Sequence, residues 1–349
     1  MFRKSVSFRI ITNSLLSAYI LIPLLQGNTI SVNAQTPHAS ASCVEAKAEC
    51  VMELHTRRIL YESNGDIRLP MASTTKIATA ATVLRLCEDI GAEFSIPQEA
   101  VGIEGSSVYL QQGEIYSVED LLYGLMLRSG NDCATALSLY CSGSIENFSR
   151  HMNETAQRAG ALNTSFKNPH GLPCKEHFTT ARDLSYISCY AMQNPTFRKI
   201  VSTEYYEPRH WKNKNKMLTT YKGGIGIKTG YTKEAGRCLV SAAKRDGMTL
   251  VCTVLNCPTT YERSAQLLDD AFSAYHYTKL LSKDEVFTVG EGKNAKKCRA
   301  LQDFYYPLMK GEENSIEINV KENYDGEIIG QIEILLAKRL LFSGNLYKL

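Results

Sequence analysis

The sequence predicts an α+β fold, in which one antiparallel sheet is covered by helices and carries a helical subdomain, followed by a small all-β domain. Three observations predict it. Residues 48–66 and 224–256 have strand patterns, the stretch between them has helical patterns, and strand patterns return after residue 282. Because strands at both ends of a segment can pair in one layer, we expect a single sheet built from both ends of residues 41–281, and a separate module over 282–349.

The first 34 residues have the pattern of an export signal. Three basic residues precede an apolar core from Leu15 to Leu25, and small residues stand just before Gln35. A retained N-terminal anchor is the alternative, although this core is shorter than the roughly 20 residues that a bilayer needs. Removal of residues 1–34 would take away three positive charges, which leaves a formal net charge of zero.

Composition argues against several functional classes. The 349 residues allow two domains, and no basic block indicates a nucleic-acid partner. Eleven cysteines follow residue 34, but no CxxC or HExxH spacing occurs, so we expect neither a metal nor a cofactor. Several cysteines lie in apolar runs, where we expect buried thiols, with a disulfide framework as the alternative.

The first predicted elements are a hairpin and a helix. Apolar and polar side chains alternate from Ala48 to Asp66, which predicts two strands that end at Asn64-Gly65. From Pro70 to about Cys87, apolar residues recur at three- and four-residue intervals, which is typical of a helix.

The middle of the chain predicts four more helices from their capping signals. They span about 118–127, 133–140, 145–158 and 181–194. Ser117 and Thr180 are the expected caps of the first and the last of them, and Asn131 with Asp132 is expected to cap the second.

Strands return from Gly224. Three short segments rich in sheet-favouring residues follow, with a turn at residues 245–247, and 259–281 reads as an amphipathic closing helix. The last stretch, 335–349, allows an amphipathic membrane helix, but the adjacent Lys338 and Arg339 and the Gly344-Asn345 break favour a strand pair.

Ser73 and Lys76 lie three residues apart at the start of the first predicted helix, so their side chains share a face. A serine hydroxyl is a weak nucleophile, and lysine can act as its base only if its pKa falls through burial or a nearby cation. A second Ser-x-x-Lys, Ser241 to Lys244, lies in a predicted strand, where positions three apart point to opposite faces. Alone, the first pair is explained equally well as surface or capping chemistry.

Two later motifs favour the catalytic interpretation. Ser129-Gly130-Asn131 falls in a tight break between two helices, where a hydroxyl and an amide can project together. Lys228-Thr229-Gly230 closes a predicted strand, where a lysine can lower the pKa of Lys76 and the glycine lets a ligand run alongside. The order Ser-x-x-Lys, Ser-x-Asn, Lys-Thr-Gly is the signature of the penicillin-recognising serine enzymes.

The chain thus resembles the low-molecular-mass penicillin-binding proteins of the peptidase S11 family, which are serine-type D-alanyl-D-alanine carboxypeptidases with a serine β-lactamase/transpeptidase-like fold. The resemblance covers about Ala48 to Leu281. It rests on "LYE", "MASTTKIATA", "SGND", "NPHGL", "GIKTGYT" and "CLVSAAKRDG". The tail after residue 282 resembles the β-rich C-terminal domain of the family more weakly, without the membrane-anchoring helix often found there.

The resemblance implies a role for each catalytic motif residue. Ser73 would attack the carbonyl between the two terminal D-alanines of a peptidoglycan stem peptide, with Lys76 as base. β-Lactam antibiotics would be covalent inhibitors. Ser129 would relay a proton to the leaving amine, and Asn131 would hold Lys76 and the substrate amide in register.

The same resemblance implies a substrate-binding strand. Lys228 and Thr229 would bind the free carboxylate of the terminal D-alanine, beside Gly230. Backbone N–H groups of Ser73 and Tyr231 would form the oxyanion hole. Export would place this chemistry on the extracytoplasmic side, with peripheral association to the membrane or the cell wall.

Several neighbouring residues have two interpretations. His170 either lines the site or satisfies loop backbone groups, and Arg237 either assists carboxylate binding or is a solvated charge at a strand end. Asp183 is explained as part of a helix cap. Tyr231 stands where many relatives have His, Ser or Thr, which leaves the route of deacylation open.

Two other functions remain possible from sequence. A class A β-lactamase shares the three motifs but needs a carboxylate near Ser73, and the matching loop offers only Glu176, out of the usual context. A wall-binding protein without catalysis is the second alternative, although every reactive position is present. The sequence also leaves open whether the acceptor is water alone or another peptide strand.

Overall fold

The computed structural model describes residues 46–349, so the predicted export signal lies outside the described residues. These residues divide into two compact units. The larger consists of 46–277 with 307–310, and the smaller of 278–306 with 311–349. The predicted boundary after residue 281 falls close to this division and stays a prediction.

The helices and strands are numbered along the chain. The strands are β1 (Ala48–Glu53), β2 (Ile59–Ser63), β3 (Glu93–Ser95), β4 (Ile115–Ser117), β5 (Tyr205–Tyr206), β6 (Trp211–Lys212), β7 (Gly224–Thr232), β8 (Gly236–Arg245), β9 (Met248–Leu255), β10 (Tyr275–Leu281), β11 (Val286–Val289), β12 (Lys296–Arg299), β13 (Phe304–Met309), β14 (Ile316–Asp325), β15 (Ile328–Leu336) and β16 (Arg339–Lys348). The helices are α1 (Lys76–Leu86), α2 (Val118–Tyr123), α3 (Asn131–Ser142), α4 (Ile145–Ala159), α5 (Ala181–Met192), α6 (Pro195–Ser202), α7 (Met217–Thr220) and α8 (Thr260–Ala274).

The main sheet of the larger unit has the order β2-β1-β9-β8-β7, and its described pairs are antiparallel. Strand β1, from the start of the unit, pairs with β9, from its end, through Val51 opposite Cys252. The prediction of one sheet built from both ends of this segment is therefore confirmed. The hairpin β1–β2 and the turn between β8 and β9 are confirmed as well, the latter with positive φ at Asp246 and Gly247.

Helices cover both faces of this sheet. Strand β9 is buried along its whole length, as expected for a strand with an apolar layer on each side. Leu250, Cys252 and Val254 pack in one cluster with Leu267 and Leu268 of α8. The alternate residues face the other helices, where Thr253 Oγ1 lies 2.8 Å from Ser185 Oγ of α5.

Capping residues place several of these helices as predicted. Ser117 accepts a hydrogen bond from the N–H of Asp120 at the start of α2, and Thr180 accepts one from the N–H of Asp183 at the start of α5. Helix α4 ends at Ala159 and is capped by Gly160, whose φ of 88° suits glycine. The Asp183 carboxylate also accepts from Thr164 Oγ1 at 2.8 Å, so it braces the adjoining loop.

Two helix predictions are wrong in detail. Asn131 and Asp132 do not cap the following helix, because α3 begins at Asn131 itself with Gly130 as the capping residue. The Asp132 carboxylate accepts from the N–H of Cys133 within the first turn of α3, and it also accepts from the N–H groups of Val108 and Leu110, which fixes that loop. The closing helix stops at Ala274 rather than near residue 281, since Tyr275–Leu281 forms strand β10 and pairs with β13.

The smaller unit contains a five-stranded sheet of order β11-β12-β16-β15-β14. Strands β15 and β16 form the strand pair predicted for the tail, and they turn at Ala337 and Lys338, both with positive φ. The alternative of an amphipathic membrane helix is therefore wrong. Within residues 46–349, the structure contains no helix with the length and apolar character to cross a membrane.

Candidate active site

Ser73 and Lys76 meet at the junction of a short 3₁₀ turn and a helix. Residues Ala72–Thr75 form the turn, and α1 starts at Lys76, so the predicted single helix begins with a tighter turn. In 3₁₀ geometry, side chains three residues apart lie nearly above one another. Lys76 Nζ accordingly lies 3.1 Å from Ser73 Oγ, within hydrogen-bond distance. The second pair behaves as predicted for a strand, with Ser241 buried and Lys244 exposed.

The Lys76 amine is fully buried and is held by oxygens from two other segments. Its Nζ donates to Asn131 Oδ1 at 2.6 Å and to the carbonyl of His170 at 2.8 Å. With Ser73, these partners account for three directions around the nitrogen. Among the described residues no carboxylate is hydrogen-bonded to this amine, and the charge of Asp132 acts on it only through space, where it opposes the lowering of its pKa.

Burial lowers the pKa of Lys76 well below its ordinary 10.5, and the charge of Lys228 lowers it further. Burial also lowers the pKa of Lys228 to about 7, with a contribution from the charge of Lys214. The two amines therefore differ near neutral pH. The lowered pKa of Lys76 favours its neutral form, which would turn an electron pair toward Ser73 Oγ, while Lys228, with a pKa of about 7, carries a positive charge over part of the population.

Hydrogen bonds to two backbone carbonyls hold Asn131 in place independently of its contact with Lys76. Its backbone N–H donates to the carbonyl of Ser106 at 2.7 Å, and its side-chain Nδ2 donates to the carbonyl of Glu104 at 2.5 Å. Because Nδ2 is committed to a carbonyl, Oδ1 is the atom that faces Lys76. The predicted proximity of these two motifs is confirmed by the 2.6 Å contact.

Ser129 stands two residues earlier, at the end of a π-helical turn, Gly124–Arg128. It adopts a left-handed conformation with φ of 64°, which is uncommon for serine and marks a sharp change of direction. Its side chain is buried, and the structure shows no hydrogen bond from its Oγ to another described residue. The hydroxyl is thus left available in the same break that supplies Asn131.

Strand β7 brings the third motif against the Ser73 turn. A Cβ placed on Gly230 would lie 3.0 Å from the backbone N of Ser73 and 3.1 Å from the carbonyl of Met71, so a larger residue would push the Ser73 turn away by a few tenths of an ångström. Two residues earlier, Lys228 is buried and its Nζ donates to the carbonyl of Thr229 at 3.1 Å. The strand end and the Ser73 turn therefore form two sides of one groove.

Tyr231 and Arg237 lie opposite each other on β7 and β8. Tyr231 is 64% exposed, and the guanidinium carbon of Arg237 lies 5.9 Å from the centre of its ring. Arg237 is itself exposed. This geometry places Arg237 beside Tyr231, the last of the predicted substrate-binding residues.

Two histidines support the opposite side of the groove. His170 supplies its carbonyl to Lys76, while its ring Nδ1 accepts from the N–H of Leu172 at 3.3 Å, so it both contacts the site and satisfies loop backbone. His177 Nε2 lies 3.0 Å from Thr75 Oγ1, and its Nδ1 accepts from the N–H of Lys167. Burial lowers the pKa of His177 to about 4, so the ring is neutral and Nε2 carries the proton.

Lys214 is a site residue that sequence analysis missed. Its positive charge lowers the pKa of both Lys76 and Lys228, which places it within electrostatic reach of the groove. Its backbone N–H donates to the carbonyl of Leu127 at 3.1 Å, in the turn that ends at Ser129. Lys214 lies in the run "KNKNK", residues 212–216, and no local signal in that run places it beside Lys228.

The sequence profile of the D-alanyl-D-alanine carboxypeptidase family, peptidase S11, matches residues 33–259. The chain belongs to this family. It is therefore a serine hydrolase of the carboxypeptidase class, and the fold of the larger unit is that of the penicillin-binding proteins.

Curated relatives of the family match most of the chain. The D-alanyl-D-alanine carboxypeptidase DacF of Bacillus subtilis is 32% identical over 305 residues, 81% of this chain and 78% of the relative. The D-alanyl-D-alanine carboxypeptidase of Streptomyces sp. strain K15 is 36% identical over 66% of this chain and 87% of its own length. Penicillin-binding protein 5 of Haemophilus influenzae has a similar structure, with a TM-score of 0.73 and 26% identity over 89% of this chain and 98% of its own.

Proposed function

We propose that this family member removes the terminal D-alanine from peptidoglycan stem peptides through an acyl-enzyme on Ser73. The observation that carries the proposal is the buried Lys76 amine, which contacts both Ser73 Oγ and Asn131 Oδ1 and whose pKa is lowered by burial and by the charge of Lys228. Members of the family act on peptidoglycan outside the cytoplasm, and their name as penicillin-binding proteins agrees with β-lactams as covalent ligands.

The acylation step uses Ser73 as nucleophile. Its Oγ attacks the carbonyl carbon between the two terminal D-alanines while its proton passes to the neutral Nζ of Lys76. Backbone N–H groups of Ser73 and Tyr231 stabilise the oxyanion, and the contact of Gly230 with the Ser73 backbone supports this placement. The proton then reaches the leaving amine through Ser129, and the C–N bond breaks to release D-alanine.

The binding strand orients the substrate for that step. The charged form of Lys228, together with Thr229, binds the terminal carboxylate, and Asn131 holds the substrate amide through its position beside Lys76. Water completes the cycle by attack on the acyl-enzyme, with Lys76 as the base. A water nucleophile regenerates Ser73 and releases the shortened stem peptide.

The class A β-lactamase alternative has little support from the described groove. That reaction needs a carboxylate to activate the deacylating water, but Glu176 is exposed and no carboxylate is hydrogen-bonded to Ser73 or Lys76 among the described residues. A carboxypeptidase is expected to stay acylated by penicillin for many minutes. Rapid turnover of the drug would favour the lactamase.

Intact mass after penicillin treatment tests the proposal. We expect one covalent adduct on the wild-type protein, none on Ser73→Ala, and an unchanged adduct on Ser241→Ala, which alters the second Ser-x-x-Lys pair. D-Alanine release from a D-Ala-D-Ala peptide should follow the same pattern. An adduct that persists in Ser73→Ala would disprove the assignment, and normal peptidoglycan binding without any adduct would favour a wall-binding protein without catalysis.

We also propose that residues 1–34 direct export and that the mature protein associates peripherally with the membrane or the wall. The support is the basic and apolar pattern of those residues. N-terminal sequencing of the exported protein tests it, with Gln35 as the expected first residue. A chain that keeps Leu15–Leu25 would favour the anchor.

A further inference from the structure

A cavity of about 340 Å³ adjoins the active site in the larger unit. It is lined by Arg128, Glu204, Lys212, Asn213, Lys214, Asn215, Lys216, Leu218 and Thr219. We call it the lysine cavity. Four cationic side chains and one carboxylate line it, which gives a formal excess of three positive charges. None of the three lysine amines has an ion-pair partner in the part of the chain that the structure describes.

The segment that carries the lysines runs from strand β6 to the start of helix α7, and hydrogen bonds hold it in place. Lys212, Lys214 and Lys216 are exposed, while Asn213 and Asn215 between them are turned inward and are less accessible. Asn213 Nδ2 donates to the carbonyl of Thr203 at 3.0 Å. Three ammonium groups thus line one cavity, where like charges repel unless an anion joins them.

A buried donor on the cavity wall also lacks a partner. Asn215 is 4% exposed, and its Nδ2 has no hydrogen-bond partner among the described residues, although its Oδ1 accepts from the N–H of Met217 at 3.1 Å. An unsatisfied buried amide costs free energy that an acceptor in the cavity would recover. A carboxylate provides such an acceptor and the negative charge that the lysines lack.

The position of the cavity indicates which part of a substrate it faces. Arg128 directly precedes Ser129, and the guanidinium group of Arg128 donates to the carbonyl of Lys212 at 3.3 Å. The charge of Lys214 acts on Lys228. In the proposed reaction Ser129 serves the leaving amine and Lys228 the terminal carboxylate, and both belong to the residue that is released. The cavity therefore continues the groove on the leaving-group side.

We propose that the lysine cavity is a subsite for a second carboxylate on the leaving-group side, so that acidic leaving groups, or acidic peptides as acceptors, are preferred over neutral ones. The inference rests on the proposed function. D-Alanine offers one carboxylate and a methyl group, which leave this space and most of its charge unused. An acidic D-amino acid, or the amino end of an acidic peptide, would place its additional carboxylate among the lysines and Asn215.

Substrates that differ only in that group provide the test. Diacetyl-L-Lys-D-Ala-D-Glu and diacetyl-L-Lys-D-Ala-D-Gln have leaving groups of equal size and different charge, and the D-Ala-D-Ala peptide reports the basic activity. We expect kcat/KM for D-Glu to exceed that for D-Gln by about fivefold at low salt, as for a few partly exposed ion pairs. The ratio should approach one in 0.5 M salt, because screening weakens exposed pairs.

Variants that replace lysines with glutamine test whether the preference for D-Glu comes from the lysine cavity. Lys212→Gln with Lys216→Gln is expected to reduce the D-Glu to D-Gln ratio to near one. Lys222→Gln with Lys244→Gln removes the same charge from exposed positions outside the cavity and should keep the wild-type ratio. Lys214 is left intact because its charge also acts on Lys76 and Lys228. Adduct formation with penicillin shows that each variant is folded.

The possible outcomes distinguish failure of the subsite proposal from failure of the proposed function. Cleavage of the D-Ala-D-Ala peptide with a D-Glu to D-Gln ratio near one overturns the subsite and leaves the proposed function in place. Equal loss of the ratio in both double variants also overturns it, since a general field would then be responsible. No cleavage of D-Ala-D-Ala refutes the proposed function itself. If the double cavity variant fails to fold, Lys212→Gln and Lys216→Gln are measured singly, and each should lower the D-Glu to D-Gln ratio more than Lys222→Gln does.

Discussion

Two buried lysines in one groove have opposite requirements in the proposed reaction. Lys76 must be neutral to accept a proton from Ser73, while Lys228 must be charged to bind a carboxylate. Burial lowers the pKa of both amines, and the charge of Lys228 lowers that of Lys76 in addition, which favours the neutral form of Lys76. Lys228, with a pKa of about 7, still keeps its charge in part of the population near neutral pH.

This arrangement predicts a bell-shaped pH dependence of acylation. The rate should rise as Lys76 loses its proton and fall as pH increases through about 7, where free Lys228 loses its charge. The measurement is the second-order rate of acylation by penicillin from pH 5 to pH 9. We expect a loss of about tenfold for each pH unit well above the Lys228 pKa.

A penicillin methyl ester is the matched control for that profile. It lacks the carboxylate, so its acylation should keep the acid limb and lose the alkaline one. An alkaline limb of equal size with both compounds would contradict carboxylate binding by Lys228. A missing acid limb would contradict Lys76 as the base.

At the scale of elements, two helices present the residues that surround Ser73. Helix α1 begins at Lys76 and α3 begins at Asn131, and these ends meet through the 2.6 Å contact. At the other end of the same helices, Cys87 Sγ lies 3.2 Å from Cys141 Sγ. The two contacts fix the pair of helices at both ends.

We predict that a disulfide oxidant joins Cys87 and Cys141. The hydrogen bond between them lowers the pKa of Cys87 and raises that of Cys141, so Cys87 is the thiolate that attacks oxidised glutathione, and Cys141 then displaces reduced glutathione. The protein loses two hydrogen atoms, and two reduced glutathiones form. Cys87 and Cys141 are 54 residues apart in sequence, and closing a loop of that length should raise the free energy of unfolding by about 4 kcal/mol.

Peptide mapping without reduction checks the bond, and urea unfolding checks the stability. Cys141→Ser should not form the intramolecular link and should show no gain with oxidant. Cys133, which is buried beside the site, should stay reduced in both proteins. A mixed disulfide on Cys87 that never resolves, or an oxidised protein of unchanged stability, would contradict the prediction.

Local sequence predicts elements well where one periodicity or one cap decides them. The strands of the main sheet and the caps Ser117 and Thr180 are of this kind. Residues 275–281 were assigned to the closing helix because their apolar spacing allows it, but pairing with β13 makes them a strand. Asn131 has the chemistry of a helix cap, yet a buried amine 55 residues away in sequence takes its side chain.

In the candidate site as well, sequence motifs identify some residues, whereas others can be found only from the fold. The three motifs identify Ser73, Lys76, Asn131 and Lys228 from residue types and order alone. Their supporting partners are carbonyl groups, such as that of His170, and these carry no sequence signature. Lys214 was missed for the related reason that its effect on Lys228 acts through space.

At the scale of the whole molecule, the buried amines couple catalysis to stability. Unfolded Lys228 would titrate at its ordinary 10.5, whereas the folded group titrates at about 7. Between these values the unfolded chain binds the extra proton, so the contribution of Lys228 to stability increases with pH across this window. Below about pH 7 the folded protein bears the full cost of a buried charge.

Replacement of Lys228 by an apolar side chain should therefore stabilise the protein in a pH-dependent way. We expect Lys228→Met to raise the free energy of unfolding at pH 6 by up to roughly 5 kcal/mol, with an advantage that shrinks toward pH 10. Urea unfolding at pH 6, 8 and 9.5 measures it. Lys244→Met, the same change at an exposed position of the neighbouring strand, should shift stability by less than about 1 kcal/mol at each pH. If the two variants change the free energy of unfolding in parallel, burial does not disfavour the charged form of Lys228. The electrostatic account of the groove would then be wrong.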